Sequence, residues 1–173
     1  EDGEAYLRHL ARRNRRPRTL AGNACSLVLF LGMLRENGKT ALAEVTKGDM
    51  ESFIEHEQDR EIKVTTIRTR LACVRAFLRY MVEEGVVSGE VFARRIRLHL
   101  PDRLPRAMDP DDTRRLLASL DDVRKRVMVL LLLRTGLRIG ELLNVKMLDL
   151  HLAERRMEIY EGEKNRLGRV VYL

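Results

Sequence analysis

The sequence predicts a mainly α-helical chain in two parts, a small helical bundle followed by a mixed α+β part that carries a β-hairpin. Three observations predict it. Ile67, Leu71, Val74, Leu78 and Met81 recur at the 3, 4, 3, 4 spacing of one buried helical stripe. Pro101, Pro105 and Pro110 fall within ten residues, around Arg103-Leu104-Pro105-Arg106, and proline disfavours helix at the residue before it, so the chain divides there. Beyond the second part's helices the apolar period changes, and residues 156–160 and 168–173 read as two strands about a turn-rich segment.

Each helix of the first part has its own signal. Residues 4–13 predict a short helix with Tyr6, Leu7 and Leu10 inward. Residues 19–36 predict a longer one, stopped by Asn37-Gly38. Thr46-Lys47-Gly48-Asp49 has the form of a capping box, opening a helix whose apolar positions are Met50, Phe53 and Ile54. The clearest helix starts at Thr65 or Thr66 and stops at Gly85, and a further short one covers 89–95.

In the second part, Asp109-Pro110-Asp111-Asp112 combines an N-cap, a proline at the first helical position and acids beside the positive helix end. Leu116, Leu117 and Leu120 give that helix its inward face. Residues 122–134 form the next helix; its apolar run from Val127 to Leu133 predicts burial on nearly all sides. Gly136 ends it, and 138–144 reads as another short helix.

Composition narrows the function. The chain has 173 residues, 33 basic against 26 acidic, and a formal charge of +7. With 45% hydrophobic residues it has material for a core, which excludes a disordered tail. The longest unbroken apolar run has seven residues, short of the ~20 that cross a bilayer, and the stretch 20–34 is interrupted by Gly22, Asn23, Ser26 and Gly32. No signal-peptide succession opens the chain, and two cysteines are too few for a disulfide framework. Cys25 and Cys73 are expected to pack between helices. A soluble, cytoplasmic protein is expected, with no membrane partner. The basic excess is mostly arginine, 27 Arg to 6 Lys, which suits phosphate because the guanidinium fork donates two parallel hydrogen bonds. Residues 1–108 carry +5 and the remainder +2, and the sequence pI near 9.8 points to a polyanionic partner.

Two places hold candidate chemistry. In Leu133-Arg134-Thr135-Gly136-Leu137-Arg138-Ile139-Gly140-Glu141, Arg138 falls in the first turn of a helix, where a cation is unfavourable without a nearby anion. Glu141 supplies that anion as a local ion pair, or orients Arg138 toward a bound phosphate. The turn Gly162-Glu163-Lys164-Asn165-Arg166-Leu167-Gly168-Arg169 places Lys164 on a hairpin tip. There it is either a solvated charge or, in a DNA enzyme, a proton donor to a leaving oxygen. His9, His56, His99 and His151 have no metal-ligand spacing.

Thr135-Gly136-Leu137-Arg138-Ile139-Gly140-Glu141-Leu142 resembles the first catalytic box of the tyrosine recombinases, the phage integrase and Xer family. Val145-Lys146-Met147-Leu148-Asp149-Leu150, the strand pair and the Lys164 turn continue the resemblance in order, and Leu104-Pro105-Arg106 before a capped helix is also similar. The resemblance implies a SAM-like core-binding domain over 1–100, a Pro/Arg linker over 101–108 and the first part of the catalytic domain over 109–173. It implies cleavage and rejoining of double-stranded DNA through a 3′-phosphotyrosyl intermediate, in a homo-oligomer that is a tetramer on DNA, in the cytoplasm at the nucleoid. No metal or other cofactor is implied. Arg138 falls on the first catalytic arginine, which clamps the scissile phosphate; Lys164 on the hairpin lysine, the general acid; Glu141 on a supporting acid. The helix near Arg18-Thr19 and the Thr66 helix, with Arg68, Arg75 and Arg79 on one stripe, match the two that address the DNA groove.

The pattern departs from the family in three ways. Gly140 stands where many relatives have serine, and the hairpin lacks the commoner glycine-lysine-glycine run. No His-x-x-Arg box and no tyrosine nucleophile follow the hairpin, Tyr160 and Tyr172 being too early and expected as core or edge residues. The chain alone is therefore expected not to cleave DNA. A non-catalytic DNA-binding protein, a decayed integrase or a regulator, is the alternative; a type IB topoisomerase relative shares the chemistry but not the linker and small helical domain.

Overall fold

The computed structural model describes residues 1–93, 96–100, 107–160 and 168–173. The chain forms two compact units, Glu1–Arg103 and Leu104–Leu173.

The first unit is built on four helices. α1 (Asp2–Arg12) buries Tyr6. α2 (Pro17–Glu36) starts with proline at its first position, where no amide donor is needed, two residues before the expected start. Gly38 at φ +77° follows its end, a backbone geometry that glycine adopts without strain. α3 (Lys47–Asp59) opens as the capping pattern requires: the Asp49 carboxylate accepts the Thr46 amide and hydroxyl, each at 2.7 Å. α4 (Val64–Glu83) buries all five residues of the predicted stripe and Phe77 beside them. A 3-10 turn, Gly89–Phe92, stands where a short helix to 95 was expected. Phe30, Phe53 and Phe77 are fully buried at the centre, Phe30 and Phe53 edge to face with centroids 5.4 Å apart. Three ion pairs brace the unit: Glu57, fully buried, accepts from Arg60 at 3.0 Å and from Arg70 of α4, and Lys39 donates to Asp49 at 2.6 Å.

Gly22, Asn23, Ser26 and Gly32 lie within α2, and by length and composition it is the one helix among the described residues apolar enough to cross a membrane. Bundle helices meet the same criterion: α2 gives Leu27, Phe30, Met33 and Leu34 to the core, and Asn23 and Ser26 satisfy their side chains on the carbonyls of Thr19 and Gly22. Cys25 is exposed and Cys73 partly buried, so only Cys73 packs as expected; Cys25 lies on the outer face of α2.

The second unit starts with α5 (Pro110–Ala118), whose Asp109 cap accepts the Asp111 amide at 2.8 Å. α6 (Val123–Thr135) ends at Gly136, in the left-handed region at φ +63°. α7 (Ile139–Leu143) has five residues, little more than one turn. The sheet has three antiparallel strands in the order β1 (Leu150–His151), β2 (Arg156–Ile159), β3 (Arg169–Tyr172). Only β2 and β3 were expected; β1 is two residues long, below the length at which an alternating pattern becomes visible. In β2, Met157 and Ile159 point inward and pair across from Val171 and Arg169. With Leu137 and Leu142 they form the unit's core, onto which Met128, Leu131 and Leu132 of α6 pack.

α6 is not buried on nearly all sides. None of its residues is fully buried, and Val123, Val127, Leu130 and Leu133 are exposed along one face. An unbroken apolar run tells that a helix resists water, and says nothing of how many neighbours reach it. Tyr160 and Tyr172 are exposed, and of the two expected places, core or edge, Tyr172 takes the edge, on the outer strand β3.

Candidate phosphate site and nucleic-acid surface

Three local decisions position Arg138. Gly136 turns the chain out of α6, Leu137 anchors it in the core, and Arg138 then occupies the N-cap of α7, one position earlier than the expected first turn. At an N-cap the side chain is held by what caps the helix. Here that is Glu141: its Oε2 accepts the Arg138 backbone N–H at 3.0 Å and its Oε1 accepts Arg138 Nη1 at 2.9 Å. The Glu141 side chain is 3% exposed, the Arg138 side chain 46%, so the carboxylate is fixed inside while the guanidinium keeps an open face.

A third donor reaches the same carboxylate from the far end of the unit. Arg169, the first residue of β3, donates from Nη2 to Glu141 Oε2 at 2.7 Å. One carboxylate thus sits between two guanidiniums and leaves a net positive charge. The Arg138 backbone N–H does most to hold the Glu141 carboxyl below its ordinary range; burial opposes this, and the Arg138 guanidinium and Arg169 charge reinforce it. Such an arrangement, a pre-formed cationic fork with an ionised carboxylate behind it, suits an oxyanion, since the donors need no reorganisation when charge develops. Sequence reasoning missed Arg169. The pairing spans 28 residues and leaves no local spacing signal.

Lys164 lies outside the described residues. A concavity of about 700 Å³ beside α7 is lined by Glu141, Asn144, Lys146, Asp149, Glu158 and Tyr160. Three carboxylates against one lysine make it a poor place for a phosphate. Arg156 instead pairs within the sheet with Glu154 and Glu158, and Glu158 also accepts the Tyr160 hydroxyl.

In the first unit, the arginines of α4 divide. Arg68 and Arg75 line one groove of about 450 Å³, closed on its other side by the extended residues 96–100, which bring Arg97 and His99. Ile96 and Leu98 pack against the core and hold that segment in place. Arg97 and His99 were missed because an extended segment before the prolines has no period to read. Arg79 is elsewhere: its guanidinium lies 5.6 Å from the Phe92 ring centroid. Thr66 is exposed near the start of α4, and Arg18 and Thr19 are exposed in the first turn of α2, where the Thr19 carbonyl is taken by Asn23. Arg70, between the stripe residues, turns inward to Glu57.

Known proteins supply the frame. Residues 4–85 match the family described as phage integrase, N-terminal SAM-like domain, and residues 106–173 match the phage integrase family. The tyrosine recombinase XerC of Roseiflexus castenholzii (strain DSM 13941 / HLO8) is 32% identical over 165 residues, covering 90% of this chain and 52% of that protein. The tyrosine recombinase XerD of Oceanobacillus iheyensis is 28% identical, with coverage of 86% and 52%. Among solved structures, a lambda integrase (75-356) dimer bound to a COC′ core site superposes with a TM-score of 0.74 at 18% identity, covering 98% of this chain and 58% of that one. The Tn1549 transposon integrase in complex with transposon right end DNA gives 0.75 at 16% identity, covering 99% and 60%. The two matches fall in family order along the chain, and the chain belongs to the phage integrase family of tyrosine recombinases. It spans about half the length of the curated relatives it matches.

Proposed function

We propose that this chain is the DNA-holding domain and the opening part of the catalytic domain of a site-specific recombinase, acting on double-stranded DNA by strand cleavage and rejoining through a 3′-phosphotyrosyl intermediate. Residues 1–100 serve as the core-binding domain, 101–108 as the linker and 109–173 as the first part of the catalytic domain. The observation that carries the reading is Arg138 at the N-cap of α7, braced by a nearly fully buried Glu141 and open on its other face.

In that chemistry a tyrosine oxygen attacks the scissile phosphate, and negative charge gathers on the non-bridging oxygens. Arg138 neutralises it, Glu141 orients Arg138, and Lys164 gives the 5′-oxygen leaving group its proton. The nucleophile and the second arginine box are not supplied by residues after the hairpin in this stretch, so these 173 residues bind DNA without cutting it. Arg68 and Arg75, with Arg18, Thr19, Thr66 and Arg79, serve mainly as phosphate contacts, giving affinity with little sequence choice. The working assembly is a homo-oligomer, a tetramer on DNA, acting at the nucleoid in the cytoplasm. Support for DNA as partner and for assembly comes from the lambda integrase tetramer bound to a Holliday junction, whose fold this chain shares at a TM-score of 0.75.

The test is duplex binding across a salt series. Replacing Arg68 and Arg75 together by Ala lowers the slope of log affinity against log salt by about 2, since each lost phosphate contact removes ~0.9. An unchanged slope would show that the α4 groove does not face DNA. On a nicked suicide duplex, no covalent adduct is expected from this chain; an adduct would overturn the assignment of the nucleophile to residues outside it.

A further inference from the structure

We infer that Arg169 is a positioning residue of the phosphate site: it completes the donor set of Glu141 and so ties the aim of Arg138 to strand β3. The inference rests on the reading of Arg138 as the phosphate ligand, and concerns how that ligand is held.

Glu141 has two oxygens and three donors. Oε1 takes Arg138 Nη1 at 2.9 Å; Oε2 takes both the Arg138 N–H at 3.0 Å and Arg169 Nη2 at 2.7 Å. Without Arg169, one pair of donors from a single residue would hold the carboxylate at one edge. Arg169 adds a donor from a second element, β3, with a full charge and the shortest of the three contacts. With Arg169 in place Glu141 is 3% exposed; removing that donor takes a fixed charged partner from one oxygen, so Glu141 shifts toward its remaining partner, Arg138, and the Arg138 guanidinium moves with it.

Arg169 is itself fixed by backbone. It stands opposite Ile159, a core residue, in the β2–β3 register. Gly168, just before it, lets β3 start hard against β2: a Cβ there would meet the Ile159 carbonyl oxygen at 3.1 Å and the Tyr160 carbonyl oxygen at 3.2 Å. Neither atom is the far end of a flexible side chain. β3 is also the strand that leaves the turn containing Lys164 in the sequence, so a shift in that strand's start is passed through Glu141 to Arg138. The guanidinium of Arg169, 41% exposed, is not consumed by the core, which separates this role from plain packing.

The test uses the 173-residue chain with isotope-labelled arginine. The Arg138 guanidinium resonances are read by NMR in the wild type, Arg169→Gln and Arg169→Lys, first without DNA and then with a mixed-sequence duplex. The methyl signal of buried Met157 reports whether the sheet is intact. In DNA-free Arg169→Gln, the Arg138 resonances are expected to move toward those of a free arginine, with loss of hindered Nη rotation; Arg169→Lys, which keeps a charged donor, recovers part of the shift. An Arg138 spectrum unchanged in Arg169→Gln, with Met157 native, overturns the inference. Should Arg169→Gln lose the native Met157 signal, Gly168→Ala decides, because it displaces the start of β3 and leaves every charge in place. Arg138 resonances that move in it support the coupling, and resonances that stay refute it. If wild-type Arg138 does not respond to the duplex, the phosphate-ligand reading fails, while the DNA-free comparison still decides the role of Arg169.

Discussion

In the first unit seventeen buried apolar residues close around Phe30, Phe53 and Phe77, while in the second only Leu137, Leu142, Met157 and Ile159 are buried among the described residues. The second unit is not short of apolar residues. Val123, Val127, Leu130, Leu133, Ile139, Leu143 and Leu148 are all exposed in it. The first unit has a closed core, because α1 to α4 each offer one apolar stripe and the four stripes face each other. The second has elements whose apolar sides outnumber the partners available among the described residues. The residues proposed for chemistry sit in the unit with the thinner core, so there the geometry depends more on ion pairs such as Glu141 with its two arginines than on packing.

Four measurements test that contrast. The largest effect is expected from Phe77→Ala, which empties the centre of the closed core and costs about 4 kcal/mol in urea unfolding of the first unit. A cost under ~1 kcal/mol would mean that the core is not close-packed. Next, Arg70→Leu leaves the fully buried Glu57 with Arg60 alone; stranding a buried charge costs about 3 kcal/mol, whereas Arg114→Leu, in an exposed pair with Asp111, changes stability by less than ~0.5 kcal/mol.

Acid separates the units more gently. Glu141 and Asp49 both titrate below their ordinary values of 4.5 and 3.8. For Asp49, burial pushes the carboxyl up, and the Lys39 and Thr46 hydrogen bonds outweigh it. A carboxylate whose folded pKa lies below its unfolded one adds stability that is complete above the unfolded value and is lost as pH falls through the folded one. Below about pH 4.5, amide protection factors in β2 and β3, corrected for the intrinsic pH dependence of exchange, should therefore fall, and Glu141→Gln should reduce that acid dependence in the sheet, where Glu154 and Glu158 also titrate low, while leaving the protection of α3 acid-sensitive through Asp49. Equal acid responses in Glu141→Gln and wild-type sheet would show that Glu141 is not the group responsible. The smallest effect belongs to Val127→Ser on the open face of α6, within ~0.5 kcal/mol of the wild type. A cost above about 2 kcal/mol would mean that this face is covered in solution.

Helix positions and stops were largely legible in the sequence, because the interactions that set them lie within a few residues. The stripe from Ile67 to Met81, the Thr46–Asp49 cap, the Asp109 cap and the Gly136 stop each depend on neighbours one to four positions away. The Arg138–Glu141 pair was legible for the same reason, three residues apart on a short helix. The exposure of α6, the two-residue strand β1 and the outward turn of Cys25 were not. Each depends on which other element arrives at that face, and composition does not record arrivals.

The helices, the division near the prolines and a charged pair at the start of α7 follow from local sequence. Long-range packing brings Arg169 to that pair across 28 residues, closes a groove between Arg97, His99, Arg68 and Arg75, and turns Arg70 inward. The physical reason is range. Capping and periodicity act along one segment of backbone, whereas the third donor to a buried carboxylate is chosen by the path the chain takes on its return.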